Sequence, residues 1–196
     1  MNRPSWDVYF ARIVENVATR STCIRHQFGA VIVNEDKEII STGYNGPVRG
    51  APHCCKKDCN FCSKNVNCDI IDICLPEHRH FQPIEGFVAC VKDENNIESG
   101  MGHGICPAVH AEQNALLQAG KQARKATLYV NGFPCKICAR LMVNAGITRV
   151  VVSGEYTDKE GLEILKAANI EVVHVDSREE SKPPEVTGAE KESVAE

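Results

Sequence analysis

Four residues define the chemistry open to this chain. His110 and Glu112 stand two positions apart, and two thiols follow in the string Pro134-Cys135-Lys136-Ile137-Cys138. One imidazole and two thiolates fill three corners of a tetrahedral zinc site and leave the fourth for water, the mark of a catalytic ion rather than a closed structural one. Zinc makes such a water acidic enough to act as a nucleophile near neutral pH. Glu112 is not needed as a ligand, and a carboxylate beside the metal is suited to carry protons from the water to the substrate and its leaving group. The competing reading is a closed zinc with a fourth protein ligand and Glu112 as a surface helix charge. A lone C-x-x-C favours that reading; His-x-Glu at a helix start upstream, with Pro134 directly before Cys135, favours catalysis.

These residues must be held at helix starts. Residues 110–120 read as a helix beginning at His110, and 135–145 as one beginning at Cys135. His110 and Glu112 then share one first turn, and Cys135 and Cys138, three apart, line one face of another. Positive potential at helix N-termini favours the thiolates that zinc requires. Around them, residues 6–20 carry apolar groups at 6, 9, 10, 13, 14 and 17, a helical period with Ser5 as N-cap. Residues 28–34 and 38–43 are β-rich runs split by Asn34-Glu35-Asp36-Lys37, a hairpin. Further strands are expected at 126–131, 148–153 and 170–175, with a helix at 159–168. The alternation implies late strands that run parallel, with helices on both faces. The expected fold is α/β, a three-layer α/β/α sandwich around a five-stranded mixed sheet.

Residues 47–105 break this order: turn residues, six cysteines between 54 and 74, and one strand-like run at 86–91. A loop of that length needs a local scaffold. We therefore expect one domain over residues 1–176 with a Cys-rich, zinc-binding insertion at 47–105, and a disordered tail at 177–196 that lacks any apolar period.

The 196 residues, 43% of them hydrophobic, suit a single globular core. The net charge of −4 comes mostly from the tail, and the nearly neutral body carries no Lys/Arg run. That argues against a nucleic-acid partner, although a small phosphate needs only one or two bases. No segment reaches the roughly twenty apolar residues of a membrane span, and the start lacks a signal-peptide core. The expectation is a soluble cytoplasmic protein, in which the eleven cysteines serve metals rather than disulfides.

Beyond the zinc pattern, several stretches carry a resemblance: Arg3-Pro4-Ser5-Trp6-Asp7-Val8-Tyr9-Phe10, Arg20-Ser21-Thr22-Cys23, Gly29-Ala30-Val31-Ile32-Val33, Thr42-Gly43-Tyr44-Asn45-Gly46-Pro47, His110-Ala111-Glu112-Gln113-Asn114-Ala115, Ala126-Thr127-Leu128-Tyr129-Val130 and Asn144-Ala145-Gly146-Ile147. Over residues 3–54 and 104–175 the chain resembles deoxycytidylate (dCMP) deaminases of the microbial, competence-operon-associated type. H-x-E followed by P-C-x-x-C is shared by all zinc-dependent nucleobase deaminases, so Gly43-Tyr44-Asn45-Gly46-Pro47 discriminates better. The resemblance implies a cytidine deaminase-like fold and hydrolysis of dCMP to dUMP with release of ammonia, feeding thymidylate synthesis. It gives Asn45 to the deoxyribose and Tyr156 to closure over the nucleotide. A plain Asn-Gly turn and ordinary loop packing are the alternatives for these two. Arg25 and His26 are candidates for the 5′-phosphate, against a solvated positive loop.

The resemblance also implies a second, structural zinc with ligands at Cys23 and Cys54, which Cys106 is placed to join. Cys55, His26, His53 and His103 compete for its last position. Cys59, Cys62, Cys68 and Cys74 would suffice for a further all-thiolate zinc, and Cys90 reads as a free buried thiol. Many members of the family are activated by dCTP, inhibited by dTTP and assembled as homo-oligomers, usually hexamers. Lys121 stands where some carry residues linked to that control. Competing functions are a tRNA adenosine, guanine or riboflavin-pathway deaminase, and a non-catalytic zinc-stabilised binding module.

Overall fold

The computed structural model describes residues 3–49, 51, 54–55, 88–98, 102, 105–154 and 159–178. The first helix, α1 (Trp6–Ala18), starts where the Ser5 hydroxyl accepts a hydrogen bond from Val8 N–H at 3.3 Å. It stops two residues before the expected end, because the N–H groups of Thr19 and Arg20 turn back to the carbonyls of Asn16 and Val17. The hairpin is formed by β1 (Gly29–Val33) and β2 (Ile39–Tyr44), with Lys37 in the left-handed region at φ 67° and Asn34 Oδ1 accepting from Glu38 N–H at 2.8 Å.

The short elements β3 (Gly46–Pro47), β4 (Cys54–Cys55), β5 (Val88–Ala89), α2 (Val91–Glu94) and β6 (Ala108–Val109) follow. Then come α3 (Ala111–Ala119), a 3-10 turn over Gly120–Ala123, β7 (Thr127–Val130), α4 (Lys136–Ala145), β8 (Arg149–Val152), α5 (Lys159–Ala167) and β9 (Glu171–His174). The main sheet has the order β2-β1-β7-β8-β9. Its first three strands are antiparallel neighbours, and β7, β8 and β9 run parallel. This is the expected five-stranded mixed sheet.

Strand alternation divides the core into two faces. Ala30, Ile32, Leu128, Val130, Val150 and Val152 point to the side covered by α3, α4 and α5, where they meet Ala115, Met142 and Leu165. Val31, Val33, Tyr129 and Val151 point the other way, against Phe10 and Val14 of α1. Every residue of β1 is buried, as an interior strand covered on both faces requires.

The base of the insertion is closed by backbone pairing. Gly46 pairs with Val109 and Pro47 with Ala108, and further out β4 runs parallel to β5. Of the run expected at 86–91, the described residues form β5 and then Cys90, which caps the helix α2 that follows at once. Cys59, Cys62, Cys68, Cys74, Tyr156 and the tail beyond residue 178 lie outside the described residues, as do the side chains of Cys54 and Cys55.

One polar network fastens α1 to the sheet. Arg149 donates from Nη1 and Nη2 to the two carboxylate oxygens of Asp7 at 2.7 and 2.8 Å and from Nε to Glu171 at 3.2 Å, while Tyr129 OH donates to Asp7 at 3.0 Å. The Arg149 hydrogen bonds hold the Asp7 carboxyl below its ordinary range, with burial opposing. A group whose folded pKa is depressed contributes stability above its unfolded value, about 3.9 for Asp, and that stability is lost as pH falls through the folded value. Asp7→Asn should therefore cost about 1–3 kcal/mol near neutral pH, with a smaller penalty at pH 3, read as Tm against pH.

Candidate metal and substrate site

His110 and Cys135 are the N-cap residues of α3 and α4, one residue before the first helical turn in which the sequence places them. An N-cap residue has extended backbone, so its side chain leaves the helix axis and points into the gap between the two helix starts. Gln113 fixes this end of α3: its Oε1 accepts the His110 backbone N–H at 2.9 Å. Asn114 Nδ2 donates to the Tyr44 carbonyl at 2.8 Å and so ties the same turn to the end of β2. Neither role is drawn from the motif itself. The signal for Gln113 is the N-cap-plus-three spacing of a capping box.

The Nδ1 atom of His110 lies 3.6 Å from Cys135 Sγ and 3.4 Å from Cys138 Sγ. The three candidate ligand atoms fall within 4.8 Å of one another, and this is the group among the described residues that could hold a metal ion. Both thiols are buried, as is Glu112, at 5% exposure. The electrostatics of the protein alone are awkward. A hydrogen bond from Cys138 draws the Cys135 pKa down to about 3, and Cys138, facing that thiolate in a buried place, is pushed far up. His110 is raised mainly by its hydrogen bond with Cys135. Burial raises the Glu112 carboxyl, with His110 opposing. Two buried sulfurs, an imidazole and a buried carboxyl are a costly cluster to gather without a cation. The donor set of one nitrogen and two sulfurs suits zinc, and three protein donors match an open catalytic site.

The other expected site residues fall in different surroundings. Asn45 is 7% exposed and its carboxamide is engaged inside the protein: Oδ1 accepts from Ser21 Oγ at 2.5 Å and from Phe28 N–H at 2.8 Å, and Nδ2 donates to the His26 carbonyl at 2.9 Å. Arg25 reaches the insertion, donating from Nη1 to the Ile97 carbonyl at 2.9 Å and pairing with Asp93 at 3.4 Å. Cys23 and Cys106 are free thiols of intermediate exposure, and Cys90 is a buried free thiol, as expected. Lys121 lies exposed in the 3-10 turn. None of the described helices is long and apolar enough to cross a membrane.

With this geometry in view, similarity to known proteins is specific. Residues 4–154 match the family model described as the cytidine and deoxycytidylate deaminase zinc-binding region. A deoxycytidylate deaminase of Saccharomyces cerevisiae is 33% identical over 183 residues, 92% of this chain and 48% of the yeast protein. The chain thus spans about half the length of that relative. A deoxycytidylate deaminase of Mycobacterium phage D29 is 36% identical over 156 residues, 79% of this chain and 99% of the phage protein. In fold, the chain is similar to the dCMP deaminase of cyanophage S-TIM5, solved in complex with dCMP and dUMP, with a TM-score of 0.58, 21% identity, and coverage of 89% of this chain and 100% of that one.

Proposed function

The chain belongs to the cytidine and deoxycytidylate deaminase family, and on that premise we propose that it hydrolyses dCMP to dUMP and ammonia. The observation that carries this reading is a buried carboxyl, Glu112, two residues from His110 in a His-Cys-Cys cluster fit for an open zinc site. His110, Cys135 and Cys138 would hold the zinc, which supplies Lewis-acid activation of water. Glu112 takes a proton from the attacking water and delivers it to the ring nitrogen; it then takes the proton of the hydroxyl added to the ring carbon and passes it to the exocyclic amine, so that the C=O forms as the carbon–nitrogen bond breaks. The balance is one water consumed and one ammonia released. Burial keeps bulk water from competing with Glu112 for these protons. Ammonia release from dCMP, dCTP, cytidine, guanine and a tRNA stem-loop, measured side by side, tests the substrate. Turnover of another member of this set in preference to dCMP overturns the assignment.

Asn45 is proposed to meet the deoxyribose through the Nδ2 hydrogen that does not go to His26, and Tyr156 to close over the nucleotide. Arg25 is proposed for the phosphate, which would then take the place of Asp93. A charged phosphate contact distant from the reacting carbon positions the ring, so dCMP should exceed deoxycytidine in kcat/KM by about 10- to 100-fold. Arg25→Ala should erase much of that ratio; equal losses on both substrates would assign Arg25 to the insertion instead.

Zinc beyond the catalytic ion is also proposed, bound among Cys23, Cys54, Cys106 and the cysteines at 55–74, because bound metal contributes directly to folding free energy. More than one zinc per chain is the expected elemental analysis. Cys54→Ser should lower both zinc content and Tm while leaving the His110, Cys135 and Cys138 site loaded. A single zinc per chain, indifferent to Cys54→Ser, would reject it. A reducing cytoplasm suits such thiols. Assembly as a homo-oligomer and control by dCTP and dTTP belong to the same proposal, tested by sedimentation and by dCMP turnover with each effector.

A further inference from the structure

The approach to β1, residues 26–29, is exposed until Gly29 enters the sheet, yet side-chain amides hold its backbone from two sides. On one side, Asn45 Nδ2 donates to the His26 carbonyl at 2.9 Å and Asn45 Oδ1 accepts Phe28 N–H at 2.8 Å. On the other, Asn131 Nδ2 donates to the Gln27 carbonyl at 3.1 Å and Asn131 Oδ1 accepts Gly29 N–H at 2.8 Å. Each carboxamide spans the carbonyl of one residue and the N–H two residues later, the pattern by which a flanking parallel strand would pair. A carboxamide can do this because it carries a donor and an acceptor in one plane, as a peptide does. Residues 26 and 28 face one partner, and 27 and 29 the other, as alternation along an extended chain demands.

Both holders sit beside the loops that carry the candidate metal ligands. Asn45 precedes Gly46, which pairs with Val109 next to His110. Asn131 precedes Gly132 and stands four residues before Cys135. Gly132 is packed so closely on the Phe28 ring that a Cβ there would lie 2.3 Å from it. The rings of His26 and Phe28 stack at 5.9 Å with 30° between their planes, so the grip on their backbone also sets an exposed aromatic edge. A shift of this segment would be felt by both ligand-bearing loops.

We propose that Asn131, acting with Asn45, is a positioning residue: the two carboxamides set residues 26–29 as a rigid wall bridging the two ligand-bearing loops, and nucleotide binding depends on that wall. The nucleotide part rests on the deaminase reading above. Asn131→Ala removes both bonds to Gln27 and Gly29. It should raise KM for dCMP about tenfold, with kcat within about threefold and zinc content unchanged. Asn131→Asp keeps the acceptor for Gly29 N–H and loses the donor to Gln27, so its KM should fall between those of Asn131→Ala and the wild type. Amide exchange read by NMR without nucleotide should speed up at Gly29 in Asn131→Ala, while Phe28 stays protected by Asn45. An unchanged KM in Asn131→Ala, or kcat and zinc content falling together at constant KM, overturns the proposal. If Asn131→Ala does not fold, a wild-type KM in Asn131→Asp overturns it equally. A wild type inactive on dCMP overturns the deaminase reading and the nucleotide part with it, whereas Gly29 exchange judges the clamp in either case.

Discussion

Glu112→Gln should keep its zinc and lose dCMP turnover by a factor of about 10² to 10⁴. The substitution preserves size and a hydrogen-bonding oxygen but cannot accept and return a proton. Glu112 is buried at 5% exposure, so no bulk water stands ready to replace it as the proton carrier. It lies on α3 behind its N-cap His110, and the ligand atoms of His110, Cys135 and Cys138 come together without it. Metal content should therefore survive the change. The neutral amide also removes a buried ionisable group, and Tm should hold or rise. Elemental analysis, Tm and ammonia release on one preparation separate the outcomes: near-normal deamination with full zinc would sink the proton-shuttle role, and loss of zinc would make Glu112 a ligand.

Much of this arrangement is legible in the sequence because its signals are local. The 3.6-residue period of α1, the short apolar β-rich runs of β1 and β7 and the Ser5 cap depend on neighbours a few positions away, and each element appears within two residues of where the pattern puts it. The candidate metal cluster is legible for another reason: His, Cys and Cys at helix starts leave few alternatives once a Glu and a Pro flank them. The polar partners were not legible. Arg25 and Asp93 are 68 positions apart and Asp7 and Arg149 are 142 apart, and no local pattern selects such pairs. Asn45 illustrates the same limit, since an Asn-Gly string announces a turn but not that the carboxamide is spent on Ser21, His26 and Phe28. Asn131 passes as an ordinary loop residue beside the zinc motif, although it holds Gln27 and Gly29 across more than a hundred positions.

Gly43→Ala should lower kcat/KM by about 10²-fold and stability by about 1–3 kcal/mol, a larger functional loss than its distance from the metal suggests. Gly43 lies on β2 on the same face as Ser41, whose hydroxyl donates to the Ala115 carbonyl at 2.8 Å, so α3 rides directly on this strand. A Cβ at Gly43 would stand 2.2 Å from the Ala111 carbonyl oxygen and 2.4 Å from Ala115 N, both backbone atoms. Side-chain rotation cannot relieve those contacts. Either the strand or the helix must move by about 1 Å to reach ordinary van der Waals separation. Because α3 carries Glu112 and is capped by His110 while α4 carries Cys138 and is capped by Cys135, moving α3 alone shifts the carboxyl and one candidate ligand against the other two. Asp7→Asn is the control, since it weakens α1 on the opposite face and should leave kcat/KM unchanged below its Tm. Gly43→Ala with wild-type kcat/KM and a loss of Tm like that of Asp7→Asn would mean that α3 tolerates displacement without disturbing the site. Loss of zinc and activity in Gly43→Ala alone would place the close approach of β2 and α3 among the determinants of the metal centre.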